Sequence, residues 1–237
     1  MQSFQNAEHY KEAQKRRYAL KYGEEIENAE NLVTPEELYN RWDIAERICE
    51  AFDEVLSWAK KDLIRDAVVR HTVKTVSLPK RLITEKQYAF AKEQIEELKK
   101  LPFSRTDDPE ADLKANTIIL SKIDRFDQIV KRYEKQLESE NAEMELHVIR
   151  VGNIAFASNA YELYLDFQHQ MQARSPFVQT FIIQLADQPK GYCGGYLATE
   201  KGIQNHGYSA TIYCNQVSPA GGEKLVEETL QALQDLI

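Results

Sequence analysis

The chain changes character near Asn141, and this change constrains its fold more than any other feature. Before Asn141, apolar residues recur at three- and four-residue steps over long stretches, which is typical of amphipathic helices. After it, short apolar runs of strand and helix character alternate and are separated by glycine and asparagine. This pattern predicts a layered α/β fold, in which a mixed β-sheet with flanking helices is preceded by long amphipathic helices.

Helix starts in the first part are marked by local capping signals. Thr34-Pro35-Glu36-Glu37 combines an N-cap threonine, a proline at the first helical position and a capping glutamate, and Thr84-Glu85-Lys86-Gln87 repeats the signature. The predicted helices of this part span residues 34–66, 84–100 and 111–138. The apolar stripe of the first one predicts that it packs along a core.

The second part predicts a sheet. Gly152-Asn153 joins two strand-like runs as a two-residue turn, which indicates a β-hairpin. The predicted strands are residues 68–78, 145–151, 154–158, 178–186 and 208–213, and further helices are expected at 161–173 and 222–236. We therefore expect one α/β domain over residues 34–237, with the highly charged residues 1–33 as an exposed helical arm.

Charge and composition exclude several classes of function. The net charge is -8, from 30 basic and 38 acidic residues, which argues against a nucleic-acid partner. The sequence has no apolar run of about 18 residues and no leader-like start, which predicts no transmembrane segment and a cytoplasmic location. Its three cysteines are widely spaced, so we expect buried free thiols and neither a disulfide framework nor a zinc knuckle.

Three short segments carry residues that could do chemistry, and each has an ordinary explanation. Glu162 follows a predicted strand, where ligand sites collect in α/β folds, but it would also suit the first turn of a helix. Residues 191–196 hold three glycines, which fit a backbone-lined pocket or simply a tight turn. His206-Gly207-Tyr208 offers a phenol that could bind a metal, although an isolated histidine is usually a surface residue.

The order of these segments resembles a known family. The run Val148 to Glu162, VIRVGNIAFASNAYE, resembles the strand-turn-strand-Glu segment of the neutral/alkaline ceramidase family of zinc hydrolases. The resemblance continues in the family's order through Arg174-Ser175-Pro176-Phe177, Gly195 to Glu200, Gly207-Tyr208 and Gly221-Gly222-Glu223. It implies that the chain corresponds to the C-terminal half of that catalytic domain.

The resemblance also implies an activity. It is the hydrolysis of the N-acyl amide bond of ceramide-like lipids by one zinc ion held by two histidines, one glutamate and one tyrosine. Glu162 falls at the glutamate position and Tyr208 at the tyrosine position, while Gly195 and Tyr196 fall in the substrate-binding loop. Zinc there would polarise the amide carbonyl and lower the pKa of a bound water.

The resemblance is incomplete. The family's two histidines precede the matching segments and have no counterpart here, so we expect no activity from this chain alone. A partner would then be the upstream half of the domain or a second copy in a homo-oligomer, and full-length relatives are often exported. Asn159-Ala160-Tyr161 stands where the family has Pro-Gly before the glutamate, and Ala198 replaces a proline.

Two further hypotheses stay open. The chain could be a non-catalytic structural or interaction module that retains the hydrolase scaffold and docks a partner through its long charged helices. Alternatively, it could build its own active site from His206, Glu162 and Glu200 around the glycine loop.

Overall fold

The structure is a computed structural model that describes residues 8–23, 26, 34–186 and 194–237. Its helices and its mixed sheet with flanking helices confirm the predicted α/β class. The chain divides into two compact units, residues 1–65 and 66–237. This boundary lies beyond the predicted one at residue 33, because the helix that begins at Pro35 packs against the helix before it. In the described part, no helix is both long and apolar enough to span a bilayer.

The first unit is a pair of helices, α1 (Glu8–Tyr22) and α2 (Pro35–Ala59). The capping box predicted for α2 is confirmed, since Thr34 and Glu37 exchange side chain to backbone hydrogen bonds. Asp43 of α2 is buried and accepts hydrogen bonds from Arg17 at 2.7 Å and from Arg47 at 3.0 Å. These pairs compensate the buried carboxylate and hold the two helices in register.

The apolar stripe of α2 is only partly used, which corrects the prediction that it packs along a core. Tyr39 is buried, but Ile48, Phe52 and Trp58 are 65%, 61% and 58% exposed. The reason is the face of α2 that α1 covers. α1 contacts Tyr39, Asp43 and Glu50, which share one face of α2, so Ile48 and Phe52 on the other side of the helix stay exposed.

The second unit is built on a four-stranded sheet. β1 (Val69–Pro79) pairs antiparallel with β2 (Asn141–Val151) over its whole length. β3 (Ile154–Ser158) folds back antiparallel on β2, which confirms the predicted hairpin, and Gly152 takes a φ of 59° in its turn. β5 (Gln179–Ile183) adds parallel to β3, so the order is β1-β2-β3-β5.

One face of this sheet is the core of the second unit. Helices α5 (Leu165–Arg174) and α7 (Pro219–Gln234) pack on it. The largest side chains buried there include Val76, Leu78, Met144, Leu146, Val148, Phe167, Met171, Leu225 and Leu233. We call the other side of the sheet the open face, because its apolar side chains stay exposed. They include Val69, Val73, Phe181 and Ile183.

Helices α3 (Glu85–Lys99) and α4 (Pro109–Gln136) form an antiparallel hairpin with its own small core. Ile83, Ala91 and Ile129 are buried in it. The Gln136 amide both donates to and accepts from the backbone of Ile83, each at 2.7 Å. This clamp fixes the end of α4 to the segment that follows β1.

Two predicted elements are corrected. The helix predicted for residues 161–173 is present but begins at Leu165, because β4 (Glu162–Leu163) pairs with β6 (Tyr196–Leu197). The strand expected at residues 208–213 is a 3-10 turn over Tyr208–Ala210, which follows the short helix α6 (Glu200–Gln204). Carbonyls of that segment accept hydrogen bonds from arginine side chains and not from a neighbouring strand.

Candidate functional site

The β4–β6 pair places Glu162 beside Tyr196. The two residues are register partners in this parallel pair. The Glu162 N–H donates to the Gly195 carbonyl at 3.2 Å, and the Tyr164 N–H donates to Leu197 at 3.0 Å. The interpretation of Glu162 as a residue of a helical first turn is therefore wrong, because Glu162 lies in a strand that precedes α5.

The segment that carries Tyr208 is fixed to this pair by its backbone. Cys214 accepts from the Tyr196 N–H at 2.8 Å. Arg81 donates to the Ala210 carbonyl at 2.7 Å, and burial lowers the pKa of Arg81. Backbone carbonyls that have no partner in a neighbouring strand can accept hydrogen bonds from guanidinium groups instead. Such bonds can hold an irregular segment in one conformation.

Arg132 of α4 is the second anchor of this segment. Its guanidinium donates to the carbonyls of Ile212 and Asn215, the latter at 3.0 Å, and also to Arg81 at 3.3 Å. Asn215 is fully buried, and its amide donates to the Tyr196 carbonyl at 2.7 Å. The helical hairpin and β6 are thus joined to the same turn.

Tyr208 lies on this turn next to Tyr196. Their rings meet edge to face with centroids 6.3 Å apart, and Tyr208 is 67% exposed. The Cys214 side chain lies close enough to the Tyr208 phenol to raise its pKa. We call Glu162, Tyr196, Tyr208 and Cys214 the polar cluster. It brings together the two residues predicted as metal ligands and Tyr196 of the predicted substrate-binding loop.

Two glycines make this packing feasible. Gly195 has a φ of 79°, and a Cβ there would lie 2.4 Å from the Cys214 carbonyl oxygen. Gly202 of α6 faces the ring of Tyr164, where a Cβ would lie 2.4 Å from Cε2. Gly195 thus has a backbone conformation that favours glycine, while residues 191–193 of the glycine segment lie outside the described residues.

Within the cluster, the charge of Glu162 acts most strongly on Tyr196. It raises the pKa of the Tyr196 phenol. The pKa of Tyr208 is raised chiefly by the nearby Cys214 side chain, while the charge of Arg125 acts in the opposite direction. At neutral pH both tyrosines are therefore neutral phenols that can donate hydrogen bonds.

Cys214 is the member of the cluster that the sequence did not indicate. We expected buried thiols, but Cys214 is half-buried and Cys49 is exposed, while Cys193 lies outside the described residues. No spacing links Cys214 to Glu162, because a tertiary turn brings them together. A pairing of this kind leaves no periodic signal in the sequence.

The segment before Glu162 has Asn159-Ala160-Tyr161 where the family that the sequence resembles has a Pro-Gly pair, and Asn159 forms a turn there. Asn159 is buried and its side-chain oxygen accepts from the Tyr161 N–H at 2.9 Å. Its backbone N–H donates to the Ile183 carbonyl at 2.9 Å, and the side chain of Tyr161 is buried in the core. This asparagine turn fixes the entry to Glu162 without a Pro-Gly pair.

The described residues do not by themselves fit a zinc ion. They contain no group of three or more His, Cys, Asp or Glu side chains that could hold a metal. His206, Glu162 and Glu200 therefore do not form such a group, and an active site built from them stays a prediction. One ring nitrogen of His71 lies 3.2 Å from a ring nitrogen of His147. These two histidines are on β1 and β2 and are not members of the polar cluster.

Comparisons with protein-family models, with curated proteins and with solved structures find no significant match. The case for a function therefore rests on the residues of the polar cluster and on their surroundings.

Proposed function

We propose that this chain is the C-terminal portion of a ceramidase-like, zinc-dependent amidohydrolase that cleaves the N-acyl bond of ceramide-like lipids. Glu162 and Tyr208 would supply two of the four zinc ligands, and two histidines would come from a segment or chain outside the described residues. When bound, zinc would act on the amide carbonyl as a Lewis acid. The chain alone would be inactive, since two protein ligands rarely hold zinc.

One observation carries this proposal. Glu162 and Tyr208 are 46 positions apart in the sequence, yet both contact Tyr196. Residues selected by resemblance alone would have no reason to meet if the resemblance were accidental. Gly195, from the loop that resembles the family's substrate-binding loop, supports the same strand pair through its carbonyl.

The chemistry of the donors supports an incomplete site. Glu162 and Tyr208 offer two oxygen donors, which is fewer than the minimum of three protein ligands that catalytic zinc sites use beside a bound water. Metal binding requires the phenol to lose its proton. The raised pKa of Tyr208 opposes this loss in the chain alone. A nearby zinc ion with its histidines in place would supply the positive charge that reverses it.

A zinc titration tests the proposal by supplying the missing ligands as free imidazole. The metal-free chain is titrated with zinc against a chromophoric chelator, with and without imidazole. We expect weak binding without imidazole and clearly tighter binding with it. Glu162→Gln and Tyr208→Phe should each remove the gain, because each removes one protein ligand.

Matched controls separate the site from general surface binding. Glu110→Gln and Tyr88→Phe change the same residue types on α4 and α3, and both should keep the imidazole-dependent gain. Tight stoichiometric binding by the chain without imidazole would contradict the proposal. So would a gain that survives both Glu162→Gln and Tyr208→Phe.

The incomplete donor set also favours a second candidate, a non-catalytic interaction module that keeps the hydrolase scaffold. In that case Glu162→Gln and Tyr208→Phe should change neither zinc binding nor stability by more than about 1 kcal/mol. The zinc titration and a urea unfolding curve of the same variants decide between the two.

A further inference from the structure

A groove opens beside the polar cluster, between the helical hairpin and the turn that follows Tyr208. Its volume is about 310 Å³. It is lined by Gln94 and Leu98 of α3, Lys122, Arg125 and Phe126 of α4, and Tyr213. This volume lies at the lower end of the range found for small-molecule sites, roughly 300–1,000 Å³.

The apolar part of the groove is aromatic. The rings of Phe126 and Tyr213 meet edge to face with centroids 5.9 Å apart, and Phe90 packs on Phe126 in the same way at 6.0 Å. Leu98 is half-buried beside them. Rings held by one another give a rigid apolar surface, which suits a hydrocarbon chain.

The polar part of the groove is cationic. Lys122 and Arg125 lie three residues apart on α4, so both project from the same helix face. Within the described residues, no ion pair to a carboxylate is formed by either side chain. Two unpaired cations on one face of a chain with a net charge of -8 provide a local site for an anion.

Arg125 links the groove to the cluster. It lines the groove, and its charge acts on the phenol of Tyr208. Tyr213 follows Tyr208 on the same turn, which Arg132 holds through the Ile212 carbonyl. A molecule in the groove would therefore have its anionic end close to Tyr208.

We propose that this groove binds an N-acyl amino acid, whose carboxylate pairs with Lys122 and Arg125 and whose acyl chain lies on Phe126 and Tyr213. This inference rests on the proposed amidase function and narrows its substrate class from neutral lipid amides to acyl amides that carry an acid. The two cations would favour amides that carry a carboxylate over neutral amides. The aromatic rings would contact the acyl chain of either kind of amide.

Calorimetric titration of the zinc-free chain tests the inference with two amides of equal chain length. N-dodecanoylglycine carries a carboxylate, and N-dodecanoylethanolamine is neutral. We expect the acid to bind more tightly, and its affinity to fall as salt screens the exposed cations. Lys122→Gln and Arg125→Gln should each weaken binding of the acid by about fivefold, the upper range for exposed charge pairs.

The controls use the same helix and the same ligands. Lys114→Gln changes an exposed lysine elsewhere on α4 and should leave both affinities unchanged. Phe126→Ala should weaken both amides alike, because it removes chain contact. Equal affinities for the two amides, or full binding of the acid by the Lys122→Gln and Arg125→Gln variants, would overturn the inference.

This test and the zinc titration fail independently. No metal is present in the calorimetry, and Glu162 and Tyr208 are unchanged in it. Loss of acid selectivity with an intact imidazole-dependent zinc gain would remove the substrate class alone. Acid selectivity without that gain would leave a binding groove on a protein that is not the proposed amidase.

Discussion

Glu162 and Tyr196 face each other across the parallel β4–β6 pair, and the negative charge of the Glu162 carboxylate acts on the Tyr196 phenol. The negative charge favours the neutral phenol, so the pKa of Tyr196 is raised. Strand pairing thus couples the charge states of two residues in the polar cluster. This coupling can be measured without knowledge of any ligand.

Replacing Glu162 by glutamine should lower the pKa of Tyr196 towards the ordinary tyrosine value of about 10, because the amide carries no charge. The measurement is a titration of the tyrosine ring signals by NMR, compared with the unmodified chain. Glu110→Gln, an exposed change on α4, should leave the Tyr196 titration where it is. An unchanged Tyr196 titration in Glu162→Gln would show that the carboxylate is not its partner.

The raised pKa of Tyr196 also predicts how the stability of the protein depends on pH. A tyrosine with a raised pKa in the folded state stabilises the fold fully below the pKa of the unfolded chain. That contribution is lost as the pH rises through the folded-state pKa. Urea unfolding should therefore show stability falling above about pH 10, and falling less steeply in Glu162→Gln. A steeper fall in the variant would contradict the assignment.

Features that depend on neighbours in sequence could be predicted. The capping boxes at Thr34 and Thr84 and the Gly152-Asn153 turn are local signals, and each lies where it was expected. The long amphipathic helices of the hairpin were also predicted to within a few residues. Local hydrogen bonds and periodic burial decide these elements, so the sequence around them is sufficient.

Features that depend on tertiary pairing could not be predicted. β4 and β6 have two residues each and no pattern of their own, so the sequence around Glu162 predicts a helix. The apolar alternation of residues 208–213 suggested a strand, but arginine side chains bind its carbonyls instead. The position of Cys214 in the polar cluster could not be predicted for the same reason, since it also depends on tertiary pairing. The roles of Glu162 and Tyr208 as zinc ligands stay predictions.

Gly195→Ala should destabilise the protein by about 3 kcal/mol or more, because it combines a left-handed backbone with a backbone clash. The new Cβ would lie 2.4 Å from the Cys214 carbonyl oxygen. Gly152→Ala is the matched control, since its φ is 59° but its Cβ would lie 3.7 Å from Ala67. The control should lose only about 1 kcal/mol in urea unfolding. Similar losses in both variants would mean that the close approach at Gly195 is absent.

Arg132→Met should lower the free energy of unfolding by about 2 kcal/mol. The reason is that the partly buried carbonyls of Ile212 and Asn215 lose their charged hydrogen-bond donor. The ring signals of Tyr208 should also shift in NMR spectra, since the turn that carries Tyr208 loosens. Lys131→Met removes the neighbouring cation, whose partner is the exposed Asp127, and should cost at most about 0.5 kcal/mol. Equal effects of the two variants would show that Arg132 does not anchor the turn.

The two faces of the four-stranded sheet should respond differently to the loss of a large side chain. Leu146 is fully buried under α5 and α7, so Leu146→Ala should cost about 2–5 kcal/mol through lost contact and the cavity left behind. Phe181 lies on the open face and is 43% exposed, with one stacked neighbour, Phe156, at 5.1 Å. Phe181→Ala should therefore cost only about 1 kcal/mol, close to the value of one aromatic pair. Urea unfolding of both variants measures the difference. A cost for Phe181→Ala as large as that of Leu146→Ala would show that the open face is covered in solution.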